Sequence, residues 1–361
     1  MCIYLGDKIA NIEKSEEHIF PACIGGIRQL SNEDVSAEAN KIFKPLEDKF
    51  AHQSEIQLTR SFYGPGKRGS KKPNETPIVV MYDKVRNRNE LGYLFFGKIY
   101  SIPQVLIDEE SKTFSFTSME LTEQSAKIAA DSLFKKLSEF DVFNNKFVYL
   151  QIETENSKPD IIVGISNKKV IVSSHCLRED LDLAKIDKIL KSFADVTYSD
   201  TATRTLENPK ISMHAAVTND TNRVFAKIAF NCLCFLKGAN FVNNKVFDEF
   251  RQWIITGEGH SDNWINEDII QTPEIVSIFP THSHWCLFTV ADKNVCAIVC
   301  LYGNWTRKYV LGRLPENEKL PLLGYICDYQ NDVEYTLSEY IEVIARENHK
   351  KLEENNEQHT N

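Results

Sequence analysis

The sequence predicts an α+β protein: a small N-terminal domain made of a hairpin and a helix, then a larger α+β domain with antiparallel sheets and several helices. Two kinds of periodicity carry that reading. Short runs rich in Val, Ile, Phe and Tyr, bounded by turn residues, predict strands. Stretches with apolar residues three and four apart predict helices. The 361 residues are 42% hydrophobic and 26% charged, as in an ordinary globular protein. At about 100–200 residues per domain this length holds two or three domains.

At the N-terminus the run Ser15-Glu16-Glu17-His18-Ile19-Phe20-Pro21-Ala22-Cys23-Ile24-Gly25-Gly26 reads as a hairpin closed by a Pro/Gly turn, where glycine tolerates positive φ. Ser31 and Asp34 then read as a capping box. Val35, Ala39, Ile42 and Phe43 fall on one helical face, and Pro45 ends or kinks that helix near Lys44. Ser36 and Asn40, four apart, share one edge of that face. A second helix starts near Pro45, with Leu46, Phe50 and Ile56 inward. Residues 62–70 form a basic, glycine-rich loop, and residues 71–77, with Pro73 and Pro77, mark a boundary.

Beyond it, residues 78–82, 94–100, 105–107, 113–117, 147–153, 161–165 and 170–174 predict strands, with helices over 122–140 and 181–194. Residues 196–212 are polar and loop-like. Helices are expected over 222–236, closing at Gly238, and over 246–255, closing at Gly257. A terminal antiparallel set follows (283–291, 295–303, 307–313), then a polar helix over 336–353. The expected domains are therefore 1–75, 76–345, and a polar tail at 346–361 without fixed structure.

The strings at residues 15–26 (Ser-Glu-Glu-His-Ile…Ile-Gly-Gly), 35–40 (Val-Ser-Ala-Glu-Ala-Asn) and 64–70 (Gly-Pro-Gly-Lys-Arg-Gly-Ser) resemble, in order and spacing, the motifs of bacterial HNH endonucleases. The resemblance implies a ββα-metal fold for residues 1–75, with Glu17-His18 on the hairpin and Asn40 on the helix brought to one point. It implies His18 as general base, Glu17 and Asn40 as ligands of one Mg²⁺ or Mn²⁺, and hydrolysis of phosphodiester bonds in nucleic acid, DNA first. An imidazole suits proton abstraction near neutral pH, and a carboxylate suits a hard divalent cation. Many relatives frame the site with a zinc held by two Cys-x-x-Cys pairs. Here Cys2 survives while Leu5, Ser36 and Ala39 stand at the other three positions. One thiolate cannot make a tetrahedral zinc site, so no structural zinc is expected. The loss of that knuckle leaves an alternative of another class open: a decayed HNH scaffold that binds nucleic acid or a protein without cutting.

The net charge of −9 argues against indiscriminate adsorption to nucleic acid. Locally, however, Arg60, Lys67, Arg68, Lys71 and Lys72 occur with no acid between them, a stripe suited to a phosphodiester backbone. Its alternative is a plain basic linker. The larger domain is expected to select the target or to answer to a protein or small-molecule regulator. Nine cysteines without framework spacing read as free thiols. With no apolar run of membrane-spanning length and no signal-peptide pattern, the expectation is a cytoplasmic protein without a membrane partner.

Three further features stand outside that scheme. Arg223, Lys227 and Asn231 share a face of the 222–236 helix, read as solvated, with phosphate contact as the alternative. His282, His284 and Cys286 alternate on one side of a strand, a possible metal site. Asp262-Asn263-Trp264 lies in a turn that could bear on a partner.

If the stripe meets the nucleic-acid backbone, Lys67→Ala with Arg68→Ala weakens DNA binding alike for all sequences and lowers the salt slope by about 1–2. Titrations at several salt concentrations test this; an unchanged slope makes the segment a linker.

Overall fold

The computed structural model describes residues 1–6, 15–64, 77–84, 87–95, 98–110, 113–117, 123–155, 157–195, 210–212, 217–268 and 271–358. Its helices and largely antiparallel sheets give the expected α+β class. The domain division differs from the expected one. Met1–Lys71 and Ala215–Asn361 form one compact unit, and Lys72–His214 form another. Residues 1–75 are thus not a domain of their own, because their apolar side chains share one core with the C-terminal part of the chain.

The N-terminal hairpin is short. His18 bridges Gln29, Ile19 N donates to Arg28 O (3.0 Å), and Leu30 N donates to Glu17 O (2.8 Å). Its turn contains a 3₁₀ segment, Ala22–Ile24. The two glycines do different jobs there. Gly25 has φ 105°, which ordinary residues resist. At Gly26 a Cβ would come within 1.8 Å of the Phe20 carbonyl oxygen.

Helix α1 (Ala37–Gln53) begins later than the Ser31/Asp34 box predicts. Ser36 is the N-cap, accepting Ala39 N on Oγ at 3.2 Å, whereas residues 31–35 make a turn. Pro45 does not end the helix. It sits on the exposed side, where water can take the carbonyl its missing N–H leaves open, while Phe43, Leu46 and Phe50 hold the buried side. The second helix is α2 (Ile56–Tyr63).

In the unit Lys72–His214, one sheet has the order β3-β2-β1-β9 and the other β5-β4-β7-β8-β6, built from β1 (Ile78–Asp83), β2 (Arg88–Phe95), β3 (Lys98–Ser101), β4 (Gln104–Asp108), β5 (Thr113–Thr117), β6 (Val148–Gln151), β7 (Ile161–Ser166), β8 (Lys169–Ser174) and β9 (Lys210–Ser212). Among the strands of the described residues, β6 and β8 pair in parallel and the other pairs are antiparallel. Leu91 and Ile102 pack with Leu106, Ile162 and Ile171 in one core. The opposite face, through Val105, Val163 and Val172, meets helices α3 (Glu123–Ser138) and α4 (Leu183–Ser192).

Returning to the first unit, the chain forms α5 (Asn219–Lys237), α6 (Ala239–Val242) and α7 (Asp248–Thr256). The sheet β12-β11-β10-β13-β14 follows, from β10 (His284–Ala291), β11 (Asn294–Leu301), β12 (Trp305–Arg313), β13 (Leu323–Asp328) and β14 (Val333–Thr336). Alternation in β11 sends Val295, Ala297, Val299 and Leu301 to the α5 core, and Cys296, Ile298 and Cys300 to the core with Leu337 and Tyr340. Helix α8 (Leu337–Gln358) carries those two residues and runs through most of the expected disordered tail. Helix α5 is enclosed: every residue from Thr221 to Cys234 is buried, between the sheet on one side and α1 and α7 on the other. Among the described residues no helix is long and apolar enough to cross a membrane.

The Gly26 contact gives a direct test. Gly26→Ala costs about 2–4 kcal/mol, since backbone must move, while Gly25→Ala costs about 1–2 kcal/mol of conformational strain. Equal costs in urea unfolding would refute the close approach at Gly26.

Candidate functional site

The hairpin meets α1 at Asn40. Asn40, in the first turn of α1, donates Nδ2 to Ser15 Oγ (2.6 Å) and to Glu16 O (3.2 Å). Both contacts go to the strand that carries Glu17 and His18. With its amino group so committed, Asn40 Oδ1 is buried and accepts no hydrogen bond. Such an orphan costs about 1–3 kcal/mol, which a ligand at Oδ1 would offset.

His18 is half-buried. Its Nε2 lies 3.4 Å from Gln29 Nε2, and the same amide donates to Glu16 Oε2 at 3.1 Å. An amide N–H can only donate, so in this contact His18 Nε2 carries the lone pair, the state that accepts a proton.

Glu17 is buried and turned toward α5. Its Oε1 accepts the Lys227 ammonium and Asn231 Nδ2 (2.9 Å). Its Oε2 has no partner among the described residues. Lys227 Nζ also donates to Glu47 Oε1 at 2.6 Å and sits 5.0 Å from the centroid of the Phe43 ring. Burial raises Glu17 above the ordinary carboxyl value, with Lys227 opposing it. Burial likewise opposes the charge on Lys227, but two carboxylates outweigh it and hold the ammonium above the usual lysine value. Asn231 completes the set: its Oδ1 accepts the Tyr4 hydroxyl (2.5 Å), and its Nδ2 reaches His18 O (3.0 Å) as well as Glu17.

The reading of Arg223, Lys227 and Asn231 as a solvated face is therefore overturned; all three are buried. Arg223 donates to the carbonyls of Ile254 and Ile255 (3.0 and 2.6 Å). The signal was in the sequence: apolar residues flank this stripe on both sides, leaving no broad polar face for water to cover.

Two expected contributors do other work. Arg60, assigned to nucleic acid, is buried in α2, where Nε donates to Cys23 O (2.8 Å) and Nη1 to Ala51 O (3.3 Å). It braces the hairpin turn against α1 and offers no charge to a substrate. Lys67, Arg68, Lys71 and Lys72 lie outside the described residues. The His282/His284/Cys286 set is no metal site. His282 stacks on Tyr63 (3.8 Å between centroids), and His284 spends both ring nitrogens, donating Nε2 to Ile24 O (2.8 Å) and accepting Tyr302 N on Nδ1 (3.0 Å). Trp264 packs partly buried against Phe250 (5.4 Å), which makes it a core residue.

Near the N-terminus, Ser36 N and Oγ both approach Cys2 Sγ, at 3.4 and 3.5 Å. Leu5 packs on the apolar core and Ala39 is buried. Polar and apolar contacts thus hold the N-terminal segment against the start of α1.

Among the described residues no group of three or more His, Cys, Asp and Glu could hold a metal. Asn40 Oδ1 and the Glu17 carboxylate are oxygen donors, the ligand type that Mg²⁺ prefers. Compared with family models, curated proteins and solved structures, the chain gives no match.

His284 supplies a pH test of how the turn is held. Burial pushes its imidazole from the ordinary 6.5 down to about 4, so below pH 6.5 the unfolded chain takes up a proton that the folded one refuses. This stability is complete above that pH and lost as pH falls toward 4, about 2–3 kcal/mol by pH 4.5. Urea unfolding at pH 7 and 4.5 should show this extra loss in wild type but not in His284→Gln; equal losses would contradict it.

Proposed function

We propose that the protein is a divalent-metal-dependent endonuclease of HNH type, hydrolysing phosphodiester bonds of nucleic acid, DNA in the first place. The observation that carries this reading is the orphaned Asn40 Oδ1, held beside the Glu17-His18 strand by an amide whose other end is fully engaged. His18 takes the proton from the attacking water at Nε2 once the water replaces the Gln29 amide, which holds that lone pair in the resting site. Asn40 and Glu17 would hold one Mg²⁺ or Mn²⁺, which would supply positive charge to the phosphate and the departing oxygen. Residues 72–214 enter the chain as an insertion between the two parts of the site-bearing unit. Their role in this reading is choice of target or response to a protein or small-molecule regulator.

One observation favours a second reading, a scaffold that binds nucleic acid or protein without cutting it. The Lys227 ammonium already neutralises Glu17, which weakens that carboxylate as a ligand for a divalent cation. Plasmid DNA with Mg²⁺ or Mn²⁺ separates the two: nicking abolished by chelator supports the enzyme, and retention without nicking supports the scaffold.

For the enzyme, His18→Ala lowers the cleavage rate by about 10²–10⁴ and leaves DNA affinity and the unfolding midpoint near wild type. Asn40→Ala instead weakens the metal and recovers partly at higher Mn²⁺. Cleavage by His18→Ala at the wild-type rate, in a nuclease-free preparation, would remove His18 from the chemistry.

A further inference from the structure

We infer that Lys227 and Asn231, two hundred residues from the motif, are positioning residues of the candidate site: α5 carries a buried cation and an amide that fix the Glu17-His18 strand in place of a zinc knuckle. This rests on the endonuclease reading for its consequence in catalysis, but the anchoring itself is open to measurement without it.

The argument begins with valence. Asn231 has two amide hydrogens and uses one on Glu17 Oε1 and the other on His18 O, while Tyr4 secures its oxygen. A single planar group thus fixes the side chain of one motif residue and the main chain of the next. Lys227 adds the charge. Its ammonium joins Glu17 on the hairpin to Glu47 on α1 and lies against the Phe43 ring, so three segments converge on one nitrogen. With Oε1 of Glu17 saturated, the carboxylate cannot turn, and Oε2 is the oxygen left for a ligand.

A buried ammonium does not move readily, because leaving its carboxylates would strand uncompensated charge. Lys227 therefore sets the position of Glu17 through contacts that substrate never touches. It acts on the site through Glu17 and is not itself a catalytic residue.

The test uses full-length protein and three readouts: amide hydrogen exchange over residues 15–30, Mn²⁺ affinity by electron paramagnetic resonance, and cleavage kinetics. Lys227→Met is expected to speed exchange at Ile19 and Leu30 by about tenfold or more, with β11 amides unchanged. Mn²⁺ affinity separates the two effects of Lys227. Weaker binding in Lys227→Met marks it as positioning Glu17, and kcat should then fall while KM for DNA holds. Tighter binding would mark it as a competitor for that carboxylate and overturn the positioning role. Tyr4→Phe removes only the hydroxyl that secures Asn231 and provides a milder variant should Lys227→Met not fold; about fivefold faster exchange is expected at the same two amides. Wild-type exchange there in either folded variant would overturn the inference. So would acceleration spread equally over β11, which would make Lys227 a general stabiliser. If the wild type neither cuts nor binds Mn²⁺, the endonuclease reading fails, while the exchange measurement still decides the anchor.

Discussion

A charged nitrogen sits in the centre of the larger unit with almost no access to water. Lys227 is 1% exposed, and taking an ammonium from water costs several kcal/mol even after relaxation. It is tolerable here because Glu17 and Glu47 supply opposite charge and Phe43 presents a ring face. Removing either side of such a pair costs more than the pair is worth, since the remaining charge has nowhere to go. The hairpin, α1 and α5 are thereby bound to one another's geometry. The first 71 residues and the last 147 or so behave as one body for that reason as well as through their shared apolar core.

The same logic recurs on the other edge of the hairpin. Glu334 of β14 accepts Ile27 N at 3.0 Å and Arg28 N at 2.7 Å, and its second oxygen also takes the Tyr325 hydroxyl at 2.8 Å. His284 of β10 holds the turn through Ile24 O, and Arg60 of α2 holds it through Cys23 O. Backbone groups that a two-stranded ribbon would leave to water are met by side chains from the sheet and from α2. The hairpin is thus held by dispersed anchoring. Its consequence for function is that the candidate site depends on residues far along the chain, so a fragment holding only the motif lacks Lys227, Asn231, His284 and Glu334.

Much of this was legible before any coordinates. The apolar face of α1 shows in Ala39 and Phe43, both of them buried, because a periodicity of three and four reports burial whatever the partner. The alternation in β10 and β11 reports strands for the same reason. The errors have identifiable causes. Ser36, not Ser31, caps α1, because side chains that suit an N-cap also suit the turn before it. Pro45 is accommodated because its face is exposed. Arg60 was placed with its basic neighbours, yet the carbonyls of Cys23 and Ala51 needed a donor and took it inward.

The sequence by itself determined the α+β class and the elements that bear Glu17, His18 and Asn40, while the choice of those three residues as candidates came from a resemblance. Class and elements rest on local periodicity, which a linear string records. Only the tertiary structure decided that residues 215–361 complete the unit begun by residues 1–71, that the polar stripe of α5 faces inward, and that Lys227 and Asn231 both donate to Glu17 Oε1. Each of those depends on which segments meet across some two hundred residues. Sequence gives the charge of Lys227, but only its neighbours in space decide whether that charge belongs to the solvent or to Glu17.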